Sequence, residues 1–183
     1  MDGVICDFNK RYIEVHGGEV DNDLTPEGKP RFCRKLFKRA VMEDRIFEKL
    51  DWMPNGKELI SNLNGLPFSD VTILSSTACV DDIELGLAVV EQKRNWLENN
   101  RFPSRSIFTI HKGIKASFAT PMSILIDDTR QNIDDFINNG GRAVYYSDSN
   151  YVGCMKSILE NYKNVLQEYS IGLYDGKVYD EIH

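Results

Sequence analysis

Short, continuous apolar runs alternate with stretches of helical spacing through most of this chain. Val71-Thr72-Ile73-Leu74 is one run, and it ends in Ser75-Ser76-Thr77. Ser106-Ile107-Phe108-Thr109-Ile110 is a second, followed by the basic segment Lys112-Gly113-Ile114-Lys115. Met122-Ser123-Ile124-Leu125-Ile126 is a third, ending in Asp127-Asp128, and Arg142-Ala143-Val144-Tyr145-Tyr146 is a fourth. Brief β-branched runs of this kind suit strands covered by helices on both faces. The intervening pattern predicts helices over Asp7–Val15, stopped by Gly17-Gly18, and over Lys57–Asn64, started by Pro54-Asn55-Gly56. Further helices are predicted over 81–100, over 130–139 ending at Gly140-Gly141, and over 151–169. The alternation predicts an α/β fold, a Rossmann-like parallel sheet flanked by helices.

The region between the first helix and Pro54 breaks this rhythm. Val20 to Pro30 is rich in Asp, Asn, Gly and Pro and reads as a loop. From Arg31 to Leu50, apolar residues recur at Phe32, Leu36, Phe37, Ala40, Val41, Ile46 and Phe47, close to helical spacing. Residues 11–55 therefore read as a small helical cap, inserted into a core made of 1–10 and 56–183. The tail Ile171–Tyr179 has Asp175-Gly176 between apolar residues and reads as a hairpin decorating an edge.

Composition narrows the class. A chain of 183 residues, 42% hydrophobic and 27% charged, can bury a sizeable core as one enzyme-sized domain. The net charge of −6 argues against a surface for a nucleic-acid polymer. Cys6, Cys33, Cys79 and Cys154 are scattered without a C-x-x-C pair, which suits a reduced cytoplasm. No apolar run is long enough for a membrane span. His16, His111 and His183 share no metal-ligand spacing.

The chemistry concentrates at four places. Met1-Asp2-Gly3-Val4-Ile5-Cys6-Asp7-Phe8 reads as the second half of a D-x-D-G motif; alone, an Asp-Gly pair is more often a solvated turn. Ser75 ends one strand, where it either meets a ligand or caps the next helix. Lys115 or its neighbour Lys112 supplies a cation. Asp127-Asp128 follows a buried strand, where two unpaired carboxylates would repel unless a cation joins them. Ligand sites of open α/β sheets lie outside the carboxyl ends of the strands, so all four can converge.

The ordered set Asp2-Gly3, Ser75, Lys115, Asp127-Asp128 resembles the four motifs of the haloacid dehalogenase-like hydrolases. Met53-Pro54-Asn55-Gly56, Lys93-Arg94-Asn95-Trp96-Leu97 and Leu125-Ile126-Asp127-Asp128, with the N-terminal segment, resemble the 5'(3')-deoxyribonucleotidases of that superfamily over most of residues 1–147. The resemblance implies a magnesium-dependent phosphatase of nucleoside monophosphates, working through an aspartyl-phosphate. Asp2 would be general acid and then base, with its carbonyl on Mg2+. Asp127 and Asp128 would complete the metal site, Asp128 being the direct ligand and Asp127 a positioned neighbour. Ser75 would donate to a phosphoryl oxygen, and Lys115 would offset negative charge. Ser76, Thr77 and Lys93 are further phosphate contacts, although Lys93 also reads as a solvated helix residue. Phe8, Phe47 and Trp52 would stack on the base, although aromatics at such spacing are more often core.

One part of the pattern is missing. The nucleophilic Asp, and the apolar strand that should carry it, would lie just before Met1. The expected partner is a small phosphate ester such as a deoxyribonucleotide, with no nucleic-acid polymer and no membrane; a homodimer is compatible with the residues. The alternatives are a phosphatase for another small ester, and a catalytically silent relative that binds a phosphorylated ligand.

Overall fold

A computed structural model describes residues 1–17, 20–24, 30–32, 34–77, 81–102, 105–109 and 111–174. In chain order the elements are α1 (Phe8–His16), β1 (Val20–Leu24), β2 (Pro30–Phe32), α2 (Arg34–Met42), a 3-10 turn (Ile46–Lys49), α3 (Gly56–Asn64), β3 (Thr72–Ser76) and α4 (Ile83–Asn99). They are followed by β4 (Arg105–Thr109), a second 3-10 helix (Lys112–Phe118), β5 (Ile124–Asp127), α5 (Arg130–Asn138), β6 (Arg142–Tyr145), a short 3-10 turn (Asp148–Asn150) and α6 (Tyr151–Tyr174). This is a mixed α/β architecture.

The strands pair in twos. β3 runs parallel to β4, with Thr72 opposite Arg105 and Ser76 opposite Thr109. β5 runs parallel to β6, from Ile124 opposite Arg142 to Asp127 opposite Tyr145. Among the described residues these pairs do not join into one sheet.

Local signals set most boundaries. Asp7 caps α1 by accepting from the Lys10 N–H at 2.9 Å. Gly17, at φ 68°, closes the helix by donating to Ile13 O. Gly56 opens α3 because the backbone there lies against the N-terminal turn: a Cβ at this position would stand 2.6 Å from Ile5 O. Asp82, not Ser75, caps α4 through the Leu85 N–H at 3.1 Å.

Two expectations are corrected. Val20–Leu24 and Pro30–Phe32 form an antiparallel hairpin, where the sequence predicts a loop. Asp and Asn give the first segment little strand propensity, and pairing overrides it; Pro30 sits at the first position of its strand, where a proline is tolerated. The cap region is thus not wholly helical. The predicted C-terminal hairpin is replaced over Ile171–Tyr174 by the continuation of α6, since extending an existing helix is far easier than starting a hairpin. Asp175–Tyr179 lie outside the described residues.

The buried residues of the inserted segment, among them Tyr12, Val41, Ile46 and Phe47, share one cluster with Ile5, Leu59, Val89 and Trp96. Each fully buried large side chain contributes about 1.5–3 kcal/mol of hydrophobic stabilisation. Among the described residues, no helix is long and apolar enough to cross a membrane.

Candidate active site

The N-terminal segment folds back on itself. Met1 O accepts from the Ile5 N–H at 2.9 Å, and the Gly3 N–H donates to Cys6 O at 2.9 Å. Gly3 takes φ 74°, a left-handed conformation open to glycine at little cost. A second constraint acts at the same atom, because a Cβ on Gly3 would meet Asp128 Oδ2 at 2.0 Å. The Asp2-Gly3 turn and the Asp127-Asp128 pair, separated by the length of the core, therefore touch.

Asp2 is held by Lys93. The lysine projects from α4 with 1% of its surface exposed, and its Nζ donates to Asp2 Oδ2 at 2.6 Å, Ser75 Oγ at 3.0 Å and Ser76 O at 2.9 Å. An ammonium has three donors, so all are used. The Phe47 ring adds a cation–π contact, with Nζ 4.7 Å from its centroid. Burial pushes the Asp2 carboxyl up, but the Lys93 charge and hydrogen bond outweigh it and hold the group below its ordinary value. Cys6 donates weakly to Asp2 Oδ1 at 3.5 Å. Burial and the Asp2 charge push the Cys6 thiol well up, so it stays protonated and is a poor nucleophile.

Asp127 is anchored in a similar way. Lys115, in the second 3-10 helix, donates to Asp127 Oδ2 at 2.7 Å. The other oxygen accepts from the Thr129 N–H and from Asn132 Nδ2, each at 2.9 Å. Burial raises this carboxyl, while the Lys115 charge and hydrogen bond and the Asn132 donor bring it below its usual value. The carboxylate ties the end of β5 to the start of α5.

Two hydrogen-bonded clusters hold six of the sequence-predicted residues. Asp2, Ser75, Ser76 and Lys93 meet in one hydrogen-bonded cluster, while Asp127 and Lys115 form a second. The Asp128–Gly3 contact joins the N-terminal turn to the end of β5. Phe8 and Phe47 stack with centroids 5.1 Å apart, beside Lys93. Trp52 packs elsewhere, on Trp96 at 4.9 Å, with its indole N–H donating to Asn100 Oδ1 at 2.8 Å. The Thr77 N–H continues the ladder to Thr109 O at 2.8 Å.

Sequence reasoning missed the Lys93–Asp2 pair, Asn132 as a partner of Asp127, and the largely buried His16, whose Nε2 lies 3.3 Å from Asp44 Oδ2. A lysine at an otherwise apolar helix position, between Val89 and Trp96, was the available signal for the first. The other two carry no motif.

A magnesium ion asks for oxygen donors, usually one or two carboxylates plus waters. Among the described residues, no group of three or more His, Cys, Asp and Glu side chains is placed to hold a metal ion. Asp2 and Asp127 are each matched by a lysine. On their own, these side chains do not make a complete magnesium site.

In comparisons with protein-family models and with curated proteins, nothing matches this chain.

Proposed function

We propose that this chain carries the acid–base and phosphate-binding half of a phosphoric monoester hydrolase acting on a (deoxy)ribonucleoside monophosphate. In this reading the core is a Rossmann-like sheet with residues 11–55 as its cap. The supporting observation is the meeting of Asp2, Ser75 and Lys93 in one cluster, with the Asp2-Gly3 turn in contact with Asp128.

Each residue then has a chemical task. Ser75 Oγ accepts from Lys93 and keeps its own proton to donate to a phosphoryl oxygen. Lys93 and Lys115 offset the charge of the acids and of an incoming dianion. An ionised Asp2 has no proton to give in the resting site. A bound phosphate dianion would raise its pKa by like-charge repulsion, so that Asp2 takes up a proton and delivers it to the leaving oxygen as the phosphoryl group passes to the expected nucleophilic Asp, whose aspartyl-phosphate water then hydrolyses. As carboxylate again, Asp2 accepts a proton from the hydrolytic water. The nucleophilic Asp remains an expectation for the position before Met1, and magnesium remains its expected companion.

The test is a phosphate-release screen over nucleoside 5'- and 3'-monophosphates, with and without magnesium, on a form extended upstream of Met1. Release that Asp2→Asn cuts at least 100-fold supports the proposal. Binding of a nucleotide without release would instead favour the silent relative, a reading supported by the lysine matching of both Asp2 and Asp127.

A further inference from the structure

We propose that Asp148 is a positioning residue: through Asn55 it fixes the linker Met53–Gly56, and through that linker the N-terminal turn that carries Asp2. The catalytic consequence rests on the phosphatase reading; the positioning itself does not. Met53-Pro54-Asn55-Gly56 stands outside both charged clusters, and its contacts give it a different task.

The link begins at the start of α3. An Asn that precedes a helix ordinarily accepts from the helix's own N–H groups through its side chain. Asn55 makes no such bond. Its Nδ2 donates instead to Asp148 O at 3.3 Å, and its backbone N–H donates to Asp148 Oδ1 at 3.1 Å. From 93 positions away, Asp148 thus supplies a carboxylate at the N-terminal end of α3, where negative charge is favoured. The same oxygen accepts from the Tyr146 hydroxyl at 3.2 Å. Burial and the Asp148 charge push the Tyr146 phenol up, so it remains a donor. Further along α3, Asn62 Nδ2 donates to the Tyr151 hydroxyl at 2.9 Å, tying the same helix to the start of α6.

The link ends at Asp2. The Met53 N–H donates to Ile5 O at 2.9 Å, and the Gly56 N–H to Met53 O at 2.9 Å. The close approach of Gly56 to Ile5 O leaves no room for a Cβ between them. Ile5 in turn donates to Met1 O, closing the turn around Asp2. Cys6 bridges to Asp2 on one side and to Trp52 of the linker on the other. The turn is therefore gripped twice: Lys93 holds the Asp2 carboxylate, and the linker holds the backbone beneath it. The Asp148 carboxylate bonds to Asn55 and Tyr146, so its effect reaches Asp2 through the backbone. A proton-transferring group must stay within hydrogen-bond reach of its partner atoms, and misplacement by about 1 Å can cost on the order of 100-fold.

Asp148→Ala and Asp148→Asn are compared with the unmodified chain by amide hydrogen exchange. The alanine variant is expected to speed exchange at Asn55, Met53 and Ile5 roughly tenfold while α4 keeps its rate. Asp148→Asn keeps a carbonyl oxygen for the Asn55 N–H and should restore protection to within about threefold. An unchanged rate at Met53 and Ile5, or faster exchange spread evenly over α4 as well, overturns the proposal. If Asp148→Ala does not fold, Asn55→Ala decides, since it removes only the Nδ2 bond: local loss of protection at Met53 and Ile5 supports the link, and none overturns it. In the phosphate-release screen, kcat should fall roughly tenfold in Asp148→Ala with KM within about twofold, and Asp148→Asn should recover most of kcat. Lost protection with unchanged kcat overturns the control of Asp2 by the turn. Absence of release from the unmodified protein removes the phosphatase reading instead, and the exchange result then decides the positioning alone.

Discussion

Lys93 Nζ lies 2.6 Å from Asp2 Oδ2, joining residues 91 positions apart. The ammonium is sealed from water and has no donor to spare, so this pair fixes the N-terminal turn to α4 and to the end of β3. Removing one partner of a buried ion pair leaves the other uncompensated, at about 3–5 kcal/mol.

Asp2→Asn, which strands the buried Lys93 ammonium, is therefore expected to lower unfolding stability by about 3–5 kcal/mol, and Lys93→Met by less, because the carboxylate it strands is 31% exposed. The double variant should recover part of the loss, because no unpaired charge remains. Urea denaturation of the four forms measures the coupling; additivity within about 0.5 kcal/mol would show that the two side chains act independently.

Gly3 and Gly17 separate two effects of glycine. Both have positive φ, 74° and 68°, but a Cβ on Gly17 meets nothing within 4 Å while one on Gly3 meets Asp128 Oδ2 at 2.0 Å. Gly17→Ala is expected to cost about 1 kcal/mol from the backbone alone. Gly3→Ala should cost about 1–3 kcal/mol more, through overpacking against Asp128. Equal losses in thermal unfolding would mean that the Gly3–Asp128 contact is absent in solution.

The periodicity of the chain exposed most of the fold, for a physical reason. Helices α1, α3, α4 and α5 have apolar spacing and stop signals within their own sequence, and strands β3 to β6 are short apolar runs. β1 and β2 were hidden because Val20-Asp21-Asn22-Asp23-Leu24 gains its strand only by pairing with Pro30–Phe32. At the site, residue types at strand ends pointed to Asp2, Ser75, Lys115 and Asp127. The pairing that orders them was not legible, since Lys93 reaches Asp2 only once α4 has packed. Trp52 shows the converse. The resemblance implied a role against a base while its spacing favoured the core, and its neighbours in the structure are Trp96 and Asn100.

Stability should fall in acid by a calculable route. Asp2 and Asp127 are both held below the ordinary carboxyl value of 3.8 in the folded protein. The unfolded chain then binds more protons as pH drops, so the stability from these groups is present above that value and lost as pH falls through the folded values. Urea midpoints should be flat near neutrality with respect to these groups and decline below about pH 4. Asp127→Asn should flatten that decline; an unchanged slope would show that Asp127 is not the group being titrated.

Asp127 and Asp128 are neighbours with different surroundings, and their asparagine variants should separate folding from chemistry. Asp127 is buried, with Lys115, the Thr129 N–H and Asn132 all on its carboxylate. The Asp127→Asn side chain would keep one acceptor but place an amide donor towards other donors, stranding the Lys115 charge at about 3 kcal/mol or more. Lys115→Met should cost a similar amount for the mirror-image reason. Asp128 is only half-buried and lies against the Asp2-Gly3 turn, so Asp128→Asn, which preserves shape, should cost less than half as much. On the phosphatase reading, the same substitution should reduce phosphate release by the extended form at least 100-fold. Urea unfolding and phosphate release, measured on the same samples, would then rank the two positions in opposite order. The same ranking in both assays would mean that Asp128 has no chemical role separable from the fold.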